Sequence, residues 1–439
     1  MSRFYLGQRA VEVAFDDENL VANAGLALVG SFCARIGLAG IISDKIRLYN
    51  RVGGANPAYK SLSLVHAMVA GASHIDHVDV LRAGANESIL PFRVAAPSTV
   101  GTYLRSFTFG HLRQLDAVIE AEIEGAWKLG LAPQGDRPLV IDVDSTITEV
   151  SGYHKGGAAY GYTKKLGYHP LVAVRAETGE ILGIRMRKGS ANTQRGVRRH
   201  LAELMARLGR LGVSQQVILR FDSGYQAEAT LVELGRLRAS FTMAIHANAK
   251  GAERIIAEIP EQAWTPIDYT EGGEAQVAEA TYKARRLIVR RTRLTGAQAE
   301  LFPHWRHFAF VTDLEGSAAE LDAFHRERAR VELSIRDLKE NAGLAHIPSG
   351  KFFANGAWLA HAALAHNLIR HVSYLGEITP AKTMVVGSSL RTRFISMPGR
   401  LVNRSGRRVL RAPARWPWAK AFIRALELLA GPLPVPIWK

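Results

Sequence analysis

Two apolar runs of similar build, each closing on an acid, limit what this chain can become. They are Pro138-Leu139-Val140-Ile141-Asp142-Val143-Asp144 and Gln216-Val217-Ile218-Leu219-Arg220-Phe221-Asp222. Both read as buried strands whose polar residues sit at the C-terminal end. Between them, 170–176 and 181–186 read as strands joined by Glu177-Thr178-Gly179-Glu180, a hairpin-turn signal. A helix over about 193–211 follows, closed by Gly212. After the second run come a helix over 227–237 and a strand over 240–246. The order is strand, strand, strand, helix, strand, helix, strand, with acids ending the first and fourth strands.

That order is an RNase H-like layout, an α/β fold with a mixed sheet flanked by helices. Its first three strands form a meander and its acids meet at one end of the sheet. From 250 to 313 the pattern changes: alternating runs at 278–282, 287–293 and 308–312 predict antiparallel strands, with Gly272-Gly273 and Gly296 as turns. The expected organisation is a helical domain over 1–135, core over 136–249, a β-rich insertion over 250–313, core again over 314–375, and a basic region over 376–439. In the first part, 20–42 and 62–70 read as buried helices and 112–131 as an amphipathic one. Pro97-Ser98-Thr99 is a helix-start signal before Gly101. Short helices of this kind suit a DNA-end-binding domain as well as a plain bundle. A long apolar helix is expected over 352–375. The basic region, broken by Pro398, Pro413 and Pro417, is expected to be partly irregular and ordered by its tryptophans.

The stretch 324–339 has strong helix formers throughout and no Gly or Pro before Gly343. On one continuous helix of about 100° per residue, His325, Arg328, Glu332 and Lys339 share a stripe of roughly 60°. Alone, such a stripe is an ordinary solvated ion-pair ladder. Asp144 and Asp222 change its meaning. Nucleotidyl transfer needs hard oxygen ligands that hold two divalent ions about 3.5–4 Å apart, and carboxylates, water and phosphate oxygens suit Mg²⁺. Asp144, Asp222 and Glu332 are therefore the candidate metal ligands and catalytic acids.

Charge points to the partner. The 439 residues carry a formal +16, and 376–439 hold twelve Lys/Arg against Glu377 and Glu427, which is +10 of that total. A strongly basic chain most often meets a polyanion, nucleic acid first. The loop from Tyr153 through Lys155 and Gly156-Gly157 to Lys164 and Lys165 interleaves aromatics, cations and glycines, as a phosphate-backbone path would. One cysteine, Cys33, excludes an internal disulfide framework and fits a cytoplasmic protein. No N-terminal basic and apolar leader is evident. The most apolar segment, 24–42, carries Arg35 and reads as buried helices, not a membrane span.

Over 137–375 the chain resembles the DDE-type transposases of bacterial insertion sequences, in the branch with an inserted β-subdomain and a Tyr-x2-Arg-x3-Glu-x6-Lys signature. Asp144-Ser145-Thr146 matches the first acid's strand end, and Phe221-Asp222-Ser223-Gly224-Tyr225 the turn of the second. Arg328, Glu332 and Lys339 match the signature, while His325 stands where the family has tyrosine. The resemblance favours Asp144 over Asp142 as the ligand. It implies cut-and-paste chemistry on double-stranded transposon ends and target DNA, two Mg²⁺ ions that Mn²⁺ can replace, and a homodimer in the synaptic complex. It also implies that His325, Arg328 and Lys339 contact end phosphates and that an aromatic of the insertion, Trp305 or Phe308, holds an extruded base. Phe308 by itself is expected to pack in the core. A histidine at 325 would make its phosphate contact pH-dependent.

Two other readings compete. Asp142-Val143-Asp144-Ser145-Thr146 also matches the Asp-x-Asp-x-Thr opening of haloacid dehalogenase-like phosphatases, with Asp142 as nucleophile; the downstream acidic pair of that family has no counterpart here. A DNA-binding protein without catalysis would not need all three acids intact.

Overall fold

The computed structural model describes residues 2–6, 9–152, 154–161, 163–246, 249, 251–294, 304–380 and 383–431. At the N-terminus, strands β1 (Ser2–Leu6), β2 (Arg9–Val13) and β3 (Leu20–Val21) precede the helices α1 (Leu26–Arg35), α2 (Leu38–Lys45), α3 (Pro57–Val69), α4 (Pro97–Arg105) and α5 (Phe109–Ala126). The helical reading of this part therefore missed a hairpin, β1–β2, and a short strand. α4 spans the run opened by Pro97, whose fixed φ and missing N–H suit a first helical turn.

The core follows the expected order. It contains β4 (Leu139–Ser145), the small strands β5 (Thr148–Glu149), β6 (Ala159–Tyr160) and β7 (Leu166–Tyr168), and then β8 (Leu171–Arg175) and β9 (Ile181–Arg185). α6 (Val197–Arg210), β10 (Val217–Phe221), α7 (Glu228–Arg236) and β11 (Ser240–Ile245) complete it. β9, β8 and β4 form the antiparallel meander, and β10 and β11 lie parallel to β4 beyond it. The order β9-β8-β4-β10-β11 is the RNase H-like sheet. Gly179 in the β8–β9 turn has φ +75°, and a Cβ there would meet Arg370 Nε and Ser334 Oγ at 2.9 Å, so only glycine fits.

After α8 (Ala252–Ala257) come β12 (Thr265–Ile267), β13 (Gly273–Tyr282), β14 (Arg285–Leu294) and β15 (Arg306–Thr312). These strands do not close on themselves. β15 pairs antiparallel with β11, so the segment continues the central sheet to nine strands. The β13–β14 turn is Lys283-Ala284, both with positive φ, a turn without the usual Gly or Asn. The turn proposed at Gly296 lies outside the described residues.

The stretch expected as one motif helix is broken. α9 (Ala318–Arg326) gives way to a tight 3₁₀ turn, Glu327–Ala329, before α10 (Arg330–Asn341). Arg220 Nη1 donates to the Phe324 carbonyl at 2.7 Å, so that carbonyl is satisfied from outside the helix and the ladder tightens after it.

α11 (Phe352–Leu375) is the central pillar. Its residues are buried almost all round, against α3, α4 and α5 on one side and β9 and α10 on the other. The basic region forms β16 (Gly399–Arg404), β17 (Arg407–Arg411) and α12 (Ala419–Ala430). It is more regular than its prolines suggested. β16 also pairs with β3, α12 packs on α1, and Trp416 Nε1 donates to the Arg393 carbonyl at 3.0 Å. No single helix among the described residues is long and apolar enough to cross a membrane. α1 and α2 together pass by length and composition, but they are bent by 62° and their apolar faces are buried.

Candidate active site

β4 and β10 run side by side and parallel, with Phe221 opposite Val143. The next residue on each is an acid, so Asp144 and Asp222 leave neighbouring strands at the same end. Each carboxylate is oriented by a backbone N–H: Ser145 N donates to Asp144 Oδ1 at 2.7 Å, and Gly224 N to Asp222 Oδ1 at 3.0 Å. Asp144 carries the electrostatic strain of the site. Burial raises its pKa to about 6 against the pull of Arg328 and the Ser145 N–H, and the charges of Asp222 and Glu332 push the same way as burial. Two acids distant in sequence thus act on Asp144.

The 3₁₀ turn places Arg328 inward, where Nη2 donates to Asp144 Oδ2 at 2.9 Å. Its Nε is buried without a partner. Glu332, in the first turn of α10, stays exposed. Lys339 is half-buried and donates to the Ile147 carbonyl at 2.8 Å, holding the chain just beyond Asp144. Arg328 and Lys339 therefore converge on the end of β4, while Glu332 reaches Asp144 only through its charge.

His325 does something else. Its Nδ1 pairs with Thr242 Oγ1 at 2.7 Å and its ring stacks on Phe310 at 4.4 Å. Burial, then the charges of Arg328, Arg220 and Arg290, push its pKa down to about 3. The structure turns the imidazole to Thr242 and Phe310 and favours its neutral form, where the sequence predicts a pH-dependent phosphate contact.

The basic loop is tied down. Lys155 donates to the Ile347 carbonyl, Lys165 pairs with Glu149 at 2.5 Å, and Lys164 holds φ +57°. Tyr153 lies outside the described residues. Of the two insertion aromatics, Trp305 lies under the guanidiniums of Arg291 and Arg293, at 4.4 and 4.5 Å. Phe308 is not a core side chain: it is 51% exposed and stands under Arg290 at 4.9 Å. A planar ring covered by a cation on one face keeps its opposite face for stacking.

Several residues outside the expected ligand and DNA-binding set shape the site. Asp142, the alternative to Asp144, is held by both Arg220 Nε and Nη2, at 2.6 and 3.0 Å, and the pair is fully buried. That sequesters Asp142 from any ligand. His169 Nε2 pairs with Ser145 Oγ at 2.8 Å, and Tyr225 is buried beside Asp144 and Asp222. Arg187 donates to the carbonyls of His169, Asn192, Thr193 and Arg195, and Gln194 Nε2 donates to Gly224 O, so this loop braces the Asp222 turn. Tyr225 had a sequence signal, its place in Asp-Ser-Gly-Tyr, and Asp142 one in Asp-x-Asp; His169, Arg187, Gln194 and Arg220 depend on contacts across the fold.

The donor set is all carboxylate, which suits Mg²⁺ or Mn²⁺ and not a thiolate-seeking ion. Among the described residues no three acids, histidines or cysteines already stand in metal-binding arrangement. Arg328 holds one oxygen of Asp144, and Glu332 faces outward.

One family model, described as "Transposase DDE domain group 1", matches residues 5–432. Seven chains of solved structures match as well. One of them, the cryo-EM structure of the piggyBac transposase synaptic complex with hairpin DNA, is 12% identical with a TM-score of 0.44, over 85% of this chain and 80% of that one. No curated protein matches.

Proposed function

Since the chain belongs to the group 1 family of transposase DDE domains, we propose that it binds the terminal inverted repeats of an insertion sequence and moves that element by Mg²⁺-dependent cut-and-paste. The observation that carries this reading is the pair Asp144 and Asp222 at adjacent parallel strand ends, with Glu332 close enough to raise the pKa of Asp144. Two divalent ions bound by these acids would supply an activated hydroxyl and a stabilised leaving oxygen. The protein's share is positional. The Ser145 and Gly224 N–H groups fix the two aspartates, and Lys339 fixes the chain after Asp144. Arg328 neutralises Asp144 until the ligands assemble, and then offers its guanidinium to an end phosphate.

In this reading water cleaves the strand at the element's end and frees a 3′-OH. That hydroxyl attacks the opposite strand to close a hairpin, which is reopened before transfer to target DNA. The exposed ring of Phe308 is the better-placed platform for an extruded base, because Trp305 already lies under two guanidiniums. Residues 1–135 are assigned to end recognition, and two copies to one synaptic complex in the cytoplasm. The phosphatase reading loses support because its nucleophile, Asp142, is locked to Arg220.

The test is incubation of purified protein with Mg²⁺ and DNA bearing its own element's ends. Nicks followed by hairpins, abolished by EDTA and restored by Mn²⁺, are expected. Cleavage that persists in Asp144→Ala would overturn the site assignment.

A further inference from the structure

The C-terminal β-ribbon is an arginine surface of unusual construction. β16 and β17 pair antiparallel, joined by a tight turn at Ser405-Gly406 in which both residues have positive φ. The register sets Arg400 opposite Arg411, Val402 opposite Val409, and Arg404 opposite Arg407. Directly paired residues share a face, so four arginines and two valines form one side of the ribbon. The other side carries Leu401 and Leu410, which pack against the hydrophobic core. The arginine face therefore points outward, and all four arginines are exposed.

Like charges directly opposite one another destabilise a strand pair. Elsewhere the protein avoids this. On β13 and β14, Arg293 lies opposite Glu274 and pairs with it, Arg286 pairs with Glu279, and Arg285 pairs with Glu228. On the ribbon, Arg400 reaches Asp17 at 3.4 Å, and among the described residues no acid pairs with Arg404, Arg407, Arg408 or Arg411. The repulsion is left for an outside polyanion to relieve.

Resting on the transposase reading above, we infer that the Gly399–Arg411 ribbon enters the major groove of duplex DNA, gripping phosphates with Arg400, Arg404, Arg407 and Arg411. A two-stranded ribbon fits that groove. The valines between the arginine pairs provide the apolar centre that faces base edges, and the cations at either side reach the phosphates. β3 on one edge and the core under Leu401 and Leu410 hold the ribbon rigid, so it is a built element and not a charged tail.

The experiment compares the full-length protein with Arg404→Ala/Arg407→Ala/Arg411→Ala and with a charge-matched control, Arg254→Ala/Arg285→Ala/Arg293→Ala, whose arginines are all acid-paired. Binding is measured over a salt series on a duplex bearing the terminal repeat, on an unrelated duplex and on anionic phospholipid vesicles. The ribbon variant is expected to lose roughly 2–3 from the log–log salt slope and on the order of 10²-fold in DNA affinity. Its melting temperature should be unchanged or higher, because repulsion is removed. Guanine N7 methylation protection seen with the wild type should disappear in the variant.

An unchanged slope in a variant that still binds and cleaves DNA would overturn the ribbon assignment alone. Equal losses in the control would assign the effect to bulk charge, and loss of vesicle binding only would assign it to membranes. Protection at adenine N3 instead of guanine N7 would reject the major groove. Failure of the wild type to bind either duplex would overturn the transposase reading together with the ribbon.

Discussion

A fully buried group of carboxylates and a partly exposed one manage their charges in opposite ways. Under α11, His371 is clasped between Glu122 and Glu180, at 2.6 and 2.8 Å, and Glu180 also takes Arg175 and the Trp127 indole. Burial works against an imidazolium, yet the two glutamates push the His371 pKa up to about 9. Burial would also raise Glu180, but His371 and Arg175 hold it below the usual carboxylate range. At the end of β4, Asp144 has one guanidinium and two acidic neighbours, and its pKa is about 6. The first group has its counter-charges built in and joins α5, α11 and the β8–β9 hairpin. The second is left short of positive charge on a surface where DNA and metal ions can supply it. Satisfied buried charge marks structure here, and in the function proposed above unsatisfied charge marks chemistry.

The sharpest way to break that contrast is to remove one charged member from each group. Asp144→Ala or Asp222→Ala is expected to lower strand cleavage on end DNA by on the order of 10³-fold or more, with DNA binding retained. Because Asp144 is held above its ordinary pKa, its loss should leave stability level or slightly improved in urea melts near neutral pH. His371→Ala should do the reverse. Glu122 would then lose its cation and face Glu180, which keeps Arg175, costing about 3–5 kcal/mol in the same melts, while the folded fraction still cleaves. Loss of cleavage without loss of stability in the His371 variant would erase the distinction.

The pH dependence sharpens it further. A histidine raised from 6.5 to about 9 on folding contributes stability that is complete below pH 6.5 and is lost as pH rises through about 9. Wild-type stability should therefore fall across that window by a few kcal/mol at most. The slope should flatten in His371→Ala. A wild-type curve level from pH 6.5 to 9 would show that the imidazolium is not the bridge.

How far the sequence reached follows the same division. Asp144 and Asp222 were legible because each ends an apolar strand run, and a shared sheet makes sequence distance irrelevant. The bridge under α11 was not legible: Glu122 lies 249 residues from His371, and the run 352–375 reads simply as apolar. The break at Glu327–Ala329 was hidden too. Every residue there favours helix, and the cause is Arg220, 104 residues away, taking the Phe324 carbonyl. The ribbon had a local signal, alternation around Ser405-Gly406, that the prolines nearby obscured. The insertion's strands were read correctly as antiparallel. Their joining of the central sheet depends on the β11–β15 pairing, which no local pattern encodes.

A smaller effect tests the DNA side of the site. Phe308→Ala removes an exposed ring, so stability should be nearly unchanged. If the ring stacks an extruded base, hairpin formation should fall by about 1–3 kcal/mol, or roughly 5- to 150-fold, with the first nick spared. Equal loss at both steps would make Phe308 a general binding residue.

The smallest expected effect comes from the second histidine. His325 and His371 are both buried under opposite fields: burial, helped by three guanidiniums, drives one down to about 3, and two carboxylates overcome burial to drive the other up to about 9. His325 should therefore carry no charge between pH 5 and 8, and its ring should act by stacking on Phe310 and pairing with Thr242. His325→Phe keeps the stack and leaves the Thr242 hydroxyl without its nitrogen. It should cost about 1 kcal/mol in urea melts and leave the pH profile of cleavage where the wild type has it. A profile that shifts on this substitution would show that His325 titrates in the working range, and that the guanidiniums around it are neutralised when DNA is bound.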